Sequence, residues 1–131
     1  MTAVAGIDPG VAGGIAVLST DGTPIFVQGF KGTMTEEDLL VLVSAAADIL
    51  KRLGGDTVFI EKVGFIRGDG GKGAFVFGKV TGLLRGIALT NGLTIRSVYP
   101  AVWQSHLGCL TGGNKNVSKN KARELFPAIA R

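Results

Sequence analysis

Cysteine and histidine are almost missing from this sequence, which has one of each, Cys109 and His106. A single cysteine excludes a disulfide bond within the chain and is typical of proteins in a reducing compartment. Neither residue has a neighbour of metal-ligand type in the sequence. We therefore interpret both as structural residues and not as a nucleophilic pair.

Long apolar runs are also missing. No stretch reaches the roughly 18 uncharged residues that a membrane-spanning helix needs. The N-terminus has no basic segment followed by a long apolar one, as a secretory signal would. Internal repeats and low-complexity tracts are absent as well. With 131 residues, 46% of them apolar, the chain is expected to be a single globular domain without a membrane partner.

Positive charge is what the sequence has in excess, with a net charge of +4 at pH 7. Lys115, Lys119, Lys121 and Arg123 lie within nine positions near the end of the chain. This asymmetry predicts an anionic partner, with nucleic acid as the first candidate. The alternative is a basic face that contacts only solvent.

The apolar pattern predicts one α/β domain with the element order βββαβαβαα. Predicted strands cover 3–8, 13–19, 24–30, 57–61 and 93–98, and predicted helices follow Thr35, cover about 73–91, begin at Pro100 and follow the basic loop. Short turns join the first three strands, which predicts an antiparallel meander. Thr35 and Asp38 resemble a capping box at the start of the first helix.

Two carboxylates, Asp8 and Glu61, each end an apolar strand, although they are 53 positions apart. Strand ends gather at one edge of an α/β sheet, where ligands bind. If the first and fourth strands are adjacent and parallel, the two carboxylates converge. Paired carboxylate oxygens suit Mg²⁺ or Mn²⁺. The alternative is that each strand ends in an acid only because solvent begins there.

Five segments together resemble one family. They are "GIDPGVAGGIAVL", "VFIEKV", "FVFGKVTGLLRGI", "YPAVW" and "NKNVSKNKARELFP". In this order, over essentially the whole chain, they resemble the RuvC-like Holliday junction resolvases, particularly the short phage-type members, within the RNase H-like superfamily. The resemblance implies an RNase H-like fold with a mixed five-stranded sheet flanked by helices.

The resemblance also implies a function. Asp8 and Glu61 match the family's metal ligands on the first and fourth strands, where two Mg²⁺ or Mn²⁺ ions activate water and stabilise the leaving oxygen. Lys115 aligns with a lysine near the metals that stabilises charge on the attacked phosphate. A homodimeric endonuclease that nicks four-way or branched DNA is expected, in recombination, repair or phage DNA processing. Its location would be the cytoplasm of a bacterial cell or of a phage-infected host.

Further residues are candidates for DNA contacts. Phe65 follows Glu61 one position later than the family's aromatic residue and is expected to stack on bases, or else to pack under its own loop. The glycine-rich loop "GFIRGDGGKG", residues 64–73, follows the fourth strand and supplies Arg67 and Lys72. This loop lacks the G-x-x-x-x-G-K-[ST] pattern, so no nucleotide cofactor is expected. The candidate DNA-binding residues are Phe65, Arg67, Lys72, Lys115, Lys119 and Lys121.

Gly78, Gly82 and Gly86 recur every fourth residue and line one face of the helix predicted over about 73–91. Such a face lets another backbone approach closely. Each glycine also lowers helix propensity by about 1 kcal/mol, so a compensating contact is expected. The family's dimer interface uses this helix, and packing of the helix on the sheet is the alternative.

The sequence departs from the family pattern at its C-terminal end. The family's remaining metal ligands lie on a helix beyond the "ELFP" segment, so the expectation for 1–131 is a single RNase H-like domain without that helix. Gln104 stands where phage-type members place a lysine after the tryptophan. Two alternatives to the nuclease therefore stay open. One is a non-catalytic protein of the same fold that binds branched DNA, and the other, which the short chain disfavours, is a fragment of an actin-like ATPase.

Overall fold

The computed structural model describes residues 2–10, 12–62 and 70–100. The chain divides into two compact units, Met1–Ser97 and Val98–Arg131. The fold described below is that of the first unit, together with residues 98–100. The expectation of a single domain over the whole chain stays a prediction.

Seven elements follow one another in the predicted order. They are β1 (Val4–Asp8), β2 (Gly14–Leu18), β3 (Pro24–Gly29), α1 (Glu36–Arg52), β4 (Thr57–Glu61), α2 (Gly71–Thr90) and β5 (Thr94–Val98). Their bounds differ from the predicted ones by at most two residues. The two helices predicted after β5 fall almost entirely on residues outside the described ones.

The five strands form one mixed sheet in the order β3-β2-β1-β4-β5. Strand β1 lies at its centre, antiparallel to β2 and parallel to β4. Strand β3 pairs antiparallel with β2, so the first three strands are the predicted meander. The parallel pairing requires a crossover between β1 and β4, and the part of the chain from β2 through α1 provides it.

The core lies between one face of the sheet and the two helices. Burial alternates along β1 and β2, as expected for strands with one covered face. The buried side chains of the sheet are Ala5, Ile7, Ile15, Val17, Val58 and Ile60, and those of the helices are Leu39, Val43, Ala46, Ala47 and Leu50 on α1 and Leu84, Ile87 and Ala88 on α2. Both helices therefore pack on the same side of the sheet.

Helix α1 begins with the predicted capping box. The Thr35 hydroxyl accepts a hydrogen bond from the Asp38 N–H at 3.1 Å, and the Asp38 carboxylate accepts one from the Thr35 N–H at 2.9 Å. Two of the N–H groups that a helix start leaves without partners are satisfied in this way. The capping box thus fixes where the chain turns from β3 into the crossover.

Helix α2 presents two different faces. One face carries Leu84, Ile87 and Ala88 into the core. On the opposite side Phe75 and Leu89 are exposed, by 72% and 62%. By length and composition alone, α2 is also the one described helix that could cross a membrane, a test that core helices of soluble proteins pass too. The expectation of no membrane partner stays a prediction.

Candidate active site

Asp8 and Glu61 lie side by side at the ends of two adjacent parallel strands. The register of β1 and β4 pairs Val4 with Thr57 and continues to Ile7 opposite Ile60. Asp8 and Glu61 are the next residues on each strand and the last of each. Neighbouring strands are about 4.8 Å apart. The condition on which the predicted convergence depends, adjacent and parallel strands, is therefore met.

The hydrophobic pattern fixes this register. Ile7 and Ile60 are almost completely buried in the core. Successive side chains of a strand point to opposite faces, so Asp8 and Glu61 both lie on the side away from the helices. A slip of one residue in β4 would place Glu61 in the core. Packing of two isoleucines thus brings the two carboxylates together.

Asp8 is an exposed side chain on a firmly held backbone. It stands between Ile7 and Pro9, both almost fully buried. Its Oδ1 accepts a hydrogen bond from the Gly10 N–H at 3.0 Å. The buried neighbours on both sides therefore hold the backbone of Asp8 in place, and the Gly10 N–H orients its carboxylate.

The corner between β1 and β2, of which residues 9, 10, 12 and 13 are described, is closely packed at its end, where Gly13 leads into β2. Gly13 donates its N–H to the Gly10 carbonyl at 2.9 Å, and its own carbonyl accepts the Phe30 N–H at 2.8 Å. A Cβ on Gly13 would lie 2.0 Å from the Asp8 carbonyl oxygen, and one on Gly14 would lie 2.7 Å from the Gln28 carbonyl oxygen. Glycine is required at both positions. The apolar pattern predicts Gly13 within the second strand and does not reveal this role, for which the Gly13-Gly14 pair is the signal in the sequence.

The predicted DNA-binding residues divide into one that the structure describes and five that it does not. Lys72 is exposed in the first turn of α2, a turn that contains no acidic residue, whereas the first turn of α1 contains three. Lys62, which the sequence analysis did not select, is exposed directly after Glu61. The residues outside the described part are Phe65, Arg67, Lys115, Lys119 and Lys121, and the lone Cys109 and His106 lie there too.

Gly78, Gly82 and Gly86 are exposed, and no heavy atom among the described residues outside the helix itself lies within 4 Å of a Cβ built on them. The predicted packing of this helix in the core is found, but among the described residues it does not involve the three glycines. The helix packs through its opposite side, because Leu84, Ile87 and Ala88 carry its larger apolar side chains there. The role of the three glycines in a dimer interface stays a prediction.

The donor set at the sheet edge is two carboxylates. Within the described ranges, no group of three histidine, cysteine, aspartate or glutamate side chains could hold a metal ion. Magnesium is usually bound through one or two carboxylates, with water and substrate phosphate completing its shell. A carboxylate pair at one edge fits that pattern.

This chain is similar to known proteins in structure but matches none in sequence. No protein-family model matches the chain, and no curated protein sequence matches it either. The structure of Thermus thermophilus RuvC is similar with a TM-score of 0.67 and 20% identity, over 96% of this chain and 81% of that one. T. thermophilus RuvC in complex with a Holliday junction substrate gives 0.69 and 19%, over 97% and 80%. The chain has the RuvC fold, and the predicted RNase H-like class is confirmed.

Proposed function

We propose that this protein is a divalent-metal-dependent endonuclease that nicks opposed strands of four-way or branched DNA. The observation that carries the proposal is the pairing of Asp8 and Glu61 at the ends of β1 and β4. The fold supports it, since one similar structure is a RuvC complex with a Holliday junction substrate. The net charge of +4 favours an anionic polymer as substrate.

Asp8 and Glu61 would hold Mg²⁺ or Mn²⁺, with two ions in each site. Bound there, the metal would activate a water molecule and stabilise charge at the attacked phosphate. The protein keeps the two carboxylates in register through the buried Ile7 and Ile60. Lys115 is proposed to stabilise the charge that develops on the phosphate.

DNA contacts are proposed for Phe65, for the basic residues between β4 and the first turn of α2, and for those of the C-terminal segment. Lys72 is the member of this set within the described residues, and it is exposed. It follows β4 in the chain and opens α2, whose N-terminal dipole end also favours phosphate. The set is Phe65, Arg67, Lys72, Lys115, Lys119 and Lys121.

A second candidate function is branched-DNA binding without cleavage. The observation in its favour is that only two carboxylates meet among the described residues, with no third ligand beside them. Two carboxylates supply few of the roughly six oxygen ligands that each ion needs. The two candidates predict the same binding and differ only in strand cleavage.

The experiment that tests the proposed function uses a labelled four-way junction and a linear duplex of the same sequence. Each is incubated with the protein in the presence and absence of Mg²⁺ or Mn²⁺. Paired nicks on the junction alone would support the nuclease. Tight junction binding without nicks would support the second candidate, and equal affinity for junction and duplex would contradict both. Asp48→Asn, on the exposed side of α1, serves as the matched control for Asp8→Asn.

We further propose a homodimer in which α2 of each copy contributes what we name the glycine face. It consists of Phe75, Gly78, Gly82, Gly86 and Leu89, which share one side of the helix at 100° per residue and are all exposed. Without side chains on the three glycines, two helices can approach closely. Exposed apolar area of this kind on a soluble protein is typical of an interaction site.

The dimer is tested by sedimentation of Gly82→Glu beside the unchanged protein. The substitution would place a charge in the centre of the glycine face, and we expect a monomer. Ala45→Glu, at an exposed position of α1, is the control and should leave the mass unchanged. A dimer that persists in Gly82→Glu would contradict the assignment of this face.

A further inference from the structure

A chain of hydrogen bonds connects the core to one oxygen of Asp8. The Phe30 N–H donates to the Gly13 carbonyl at 2.8 Å, and the Gly13 N–H donates to the Gly10 carbonyl at 2.9 Å. The Gly10 N–H then donates to Asp8 Oδ1 at 3.0 Å. The chain starts at a residue that follows β3 and ends on a side chain of β1. It crosses the corner between β1 and β2 without using any other side chain.

Buried residues hold both ends of this series of hydrogen bonds in place. Phe30 is 9% exposed and belongs to the hydrophobic core. Pro9, the residue after Asp8, is among the fully buried side chains. The backbone of Asp8 therefore has little freedom to move, although its carboxylate is exposed. Its remaining freedom is rotation of the side chain, and the Gly10 N–H opposes that rotation at Oδ1.

A side chain at Gly10 or at Gly13 would approach Asp8 itself. A Cβ at Gly13 would be 2.0 Å from the Asp8 carbonyl oxygen, and a Cβ at Gly10 would be 3.3 Å from Asp8 Oδ1. Neither position has a positive φ. Gly13 is therefore required by its close approach to the Asp8 backbone, whereas a methyl group at Gly10 would displace the Asp8 carboxylate by a few tenths of an ångström.

We propose that Gly10 and Gly13 are positioning residues for the Asp8 carboxylate. Through the Gly10 N–H they hold Oδ1 in place, and the carboxylate oriented in this way would hold a divalent cation together with Glu61. The inference rests on the proposed function in taking Asp8 as a metal ligand. Groups that orient a metal ligand typically contribute 10- to 100-fold to metal affinity.

The test is the affinity for Mn²⁺ in the absence of DNA, measured from the electron paramagnetic resonance signal of the free ion. We expect Gly10→Ala to bind Mn²⁺ about tenfold more weakly than the unchanged protein. Gly29→Ala is the matched control. Its Cβ would lie 3.8 Å from the Gly13 carbonyl oxygen, an ordinary contact, and its affinity should stay within about twofold.

A second readout separates positioning from a loss of structure. The amide proton of Gly10 is expected to shift in the ¹H–¹⁵N spectrum of Asp8→Asn, because its acceptor changes. The amide of Thr23, bonded to Asp21, should not move. Gly13→Ala should shift the Gly10 amide in the same way. If Gly13→Ala does not fold, Gly10→Ala alone provides the test. We expect Gly10→Ala to fold, because the Asp8 side chain can rotate away from the added methyl group.

The outcomes distinguish this inference from the proposed function. If folded Gly10→Ala binds Mn²⁺ as tightly as Gly29→Ala, the positioning role is wrong, whether or not the protein cuts junctions. If Mn²⁺ binding weakens as expected but no DNA is cut, the positioning role holds and the nuclease proposal fails. If the unchanged protein binds no Mn²⁺ through Asp8, both are overturned.

Discussion

The two turns at the opposite ends of β2 each contain an aspartate and glycine, and they differ in what these residues do. The corner from Asp8 to Gly14 joins β1 to β2, and the turn from Ser19 to Thr23 joins β2 to β3. In the second turn, the Ser19 hydroxyl and the Thr23 N–H both donate to Asp21 Oδ1. These bonds, led by the one from Ser19, lower the pKa of Asp21 to about 2.

The glycines of the two turns are needed for different reasons. Gly22 has φ of 85° and open space around the position of a Cβ, so only its backbone conformation calls for glycine. Gly13 is required by its contact with the Asp8 carbonyl oxygen. An aspartate and a glycine in a hairpin therefore do not by themselves make a site. The second carboxylate, delivered by the parallel neighbour β4, distinguishes Asp8 from Asp21.

The largest expected effect is on strand cleavage by Asp8→Asn compared with Asp21→Asn. Loss of one metal-bound carboxylate removes several kcal/mol of transition-state stabilisation. We expect the junction-cutting rate of Asp8→Asn to fall by at least about 10²- to 10³-fold, and that of Asp21→Asn to stay within about twofold. Single-turnover cutting with Mg²⁺ measures both. Equal losses in the two variants would mean that the turns do not differ as proposed.

The next effect concerns stability and compares Gly13→Ala with Gly22→Ala. At Gly13 the added methyl group meets backbone atoms that must move, which costs about 3 kcal/mol. At Gly22 the methyl group meets nothing, and the cost is the left-handed conformation alone, about 1 kcal/mol. Urea unfolding gives both values. A smaller loss at Gly13 than at Gly22 would contradict the close packing of the corner.

A third prediction concerns the helix that carries the glycine face. At a dilution where sedimentation shows a monomer, Gly82→Ala should raise the free energy of unfolding by about 0.5–1 kcal/mol, because alanine favours the helix and its methyl group has open space within one chain. Gly13→Ala, which introduces the same methyl group, should change stability in the opposite direction. Thermal unfolding of the two variants at that dilution compares them directly, and destabilisation of the monomer by Gly82→Ala would contradict the open space around this position.

The smallest effect is the pH dependence that Asp21 gives to stability. Its pKa is about 2 in the folded protein, below the usual value of 3.8, so the unfolded chain binds the proton more tightly. The stabilisation is therefore fully present above about pH 4 and disappears as the pH falls towards 2. Between pH 2 and 5, the free energy of unfolding should change less steeply with pH for Asp21→Asn than for the unchanged protein. Identical slopes would show that the Ser19 and Thr23 bonds contribute nothing.

Much of the fold could be predicted from the sequence, and so could the position of Asp8 and Glu61 at the ends of their strands, because both follow from local patterns. The capping box at Thr35 and the strand that ends at Glu61 are set by residues close to them in the chain. The role of Gly13 could not be predicted, since its constraint comes from Asp8 across the corner and from Phe30 after β3. The orientation of α2 could not be predicted either, because apolar residues such as Phe75 and Leu84 lie on both its sides.

The parallel pairing of β1 with β4 also has a consequence for how the molecule folds. The two strands are separated in the chain by a hairpin and by α1, so their pairing closes a long loop, an event that tends to come late because its entropy cost precedes its contacts. A cation that needs both Asp8 and Glu61 could bind only after that closure. At a hundredfold excess over its dissociation constant it would add about 2.7 kcal/mol to stability. The free energy of unfolding would then rise with the concentration of Mg²⁺, because the ion binds only chains in which β1 and β4 are already paired.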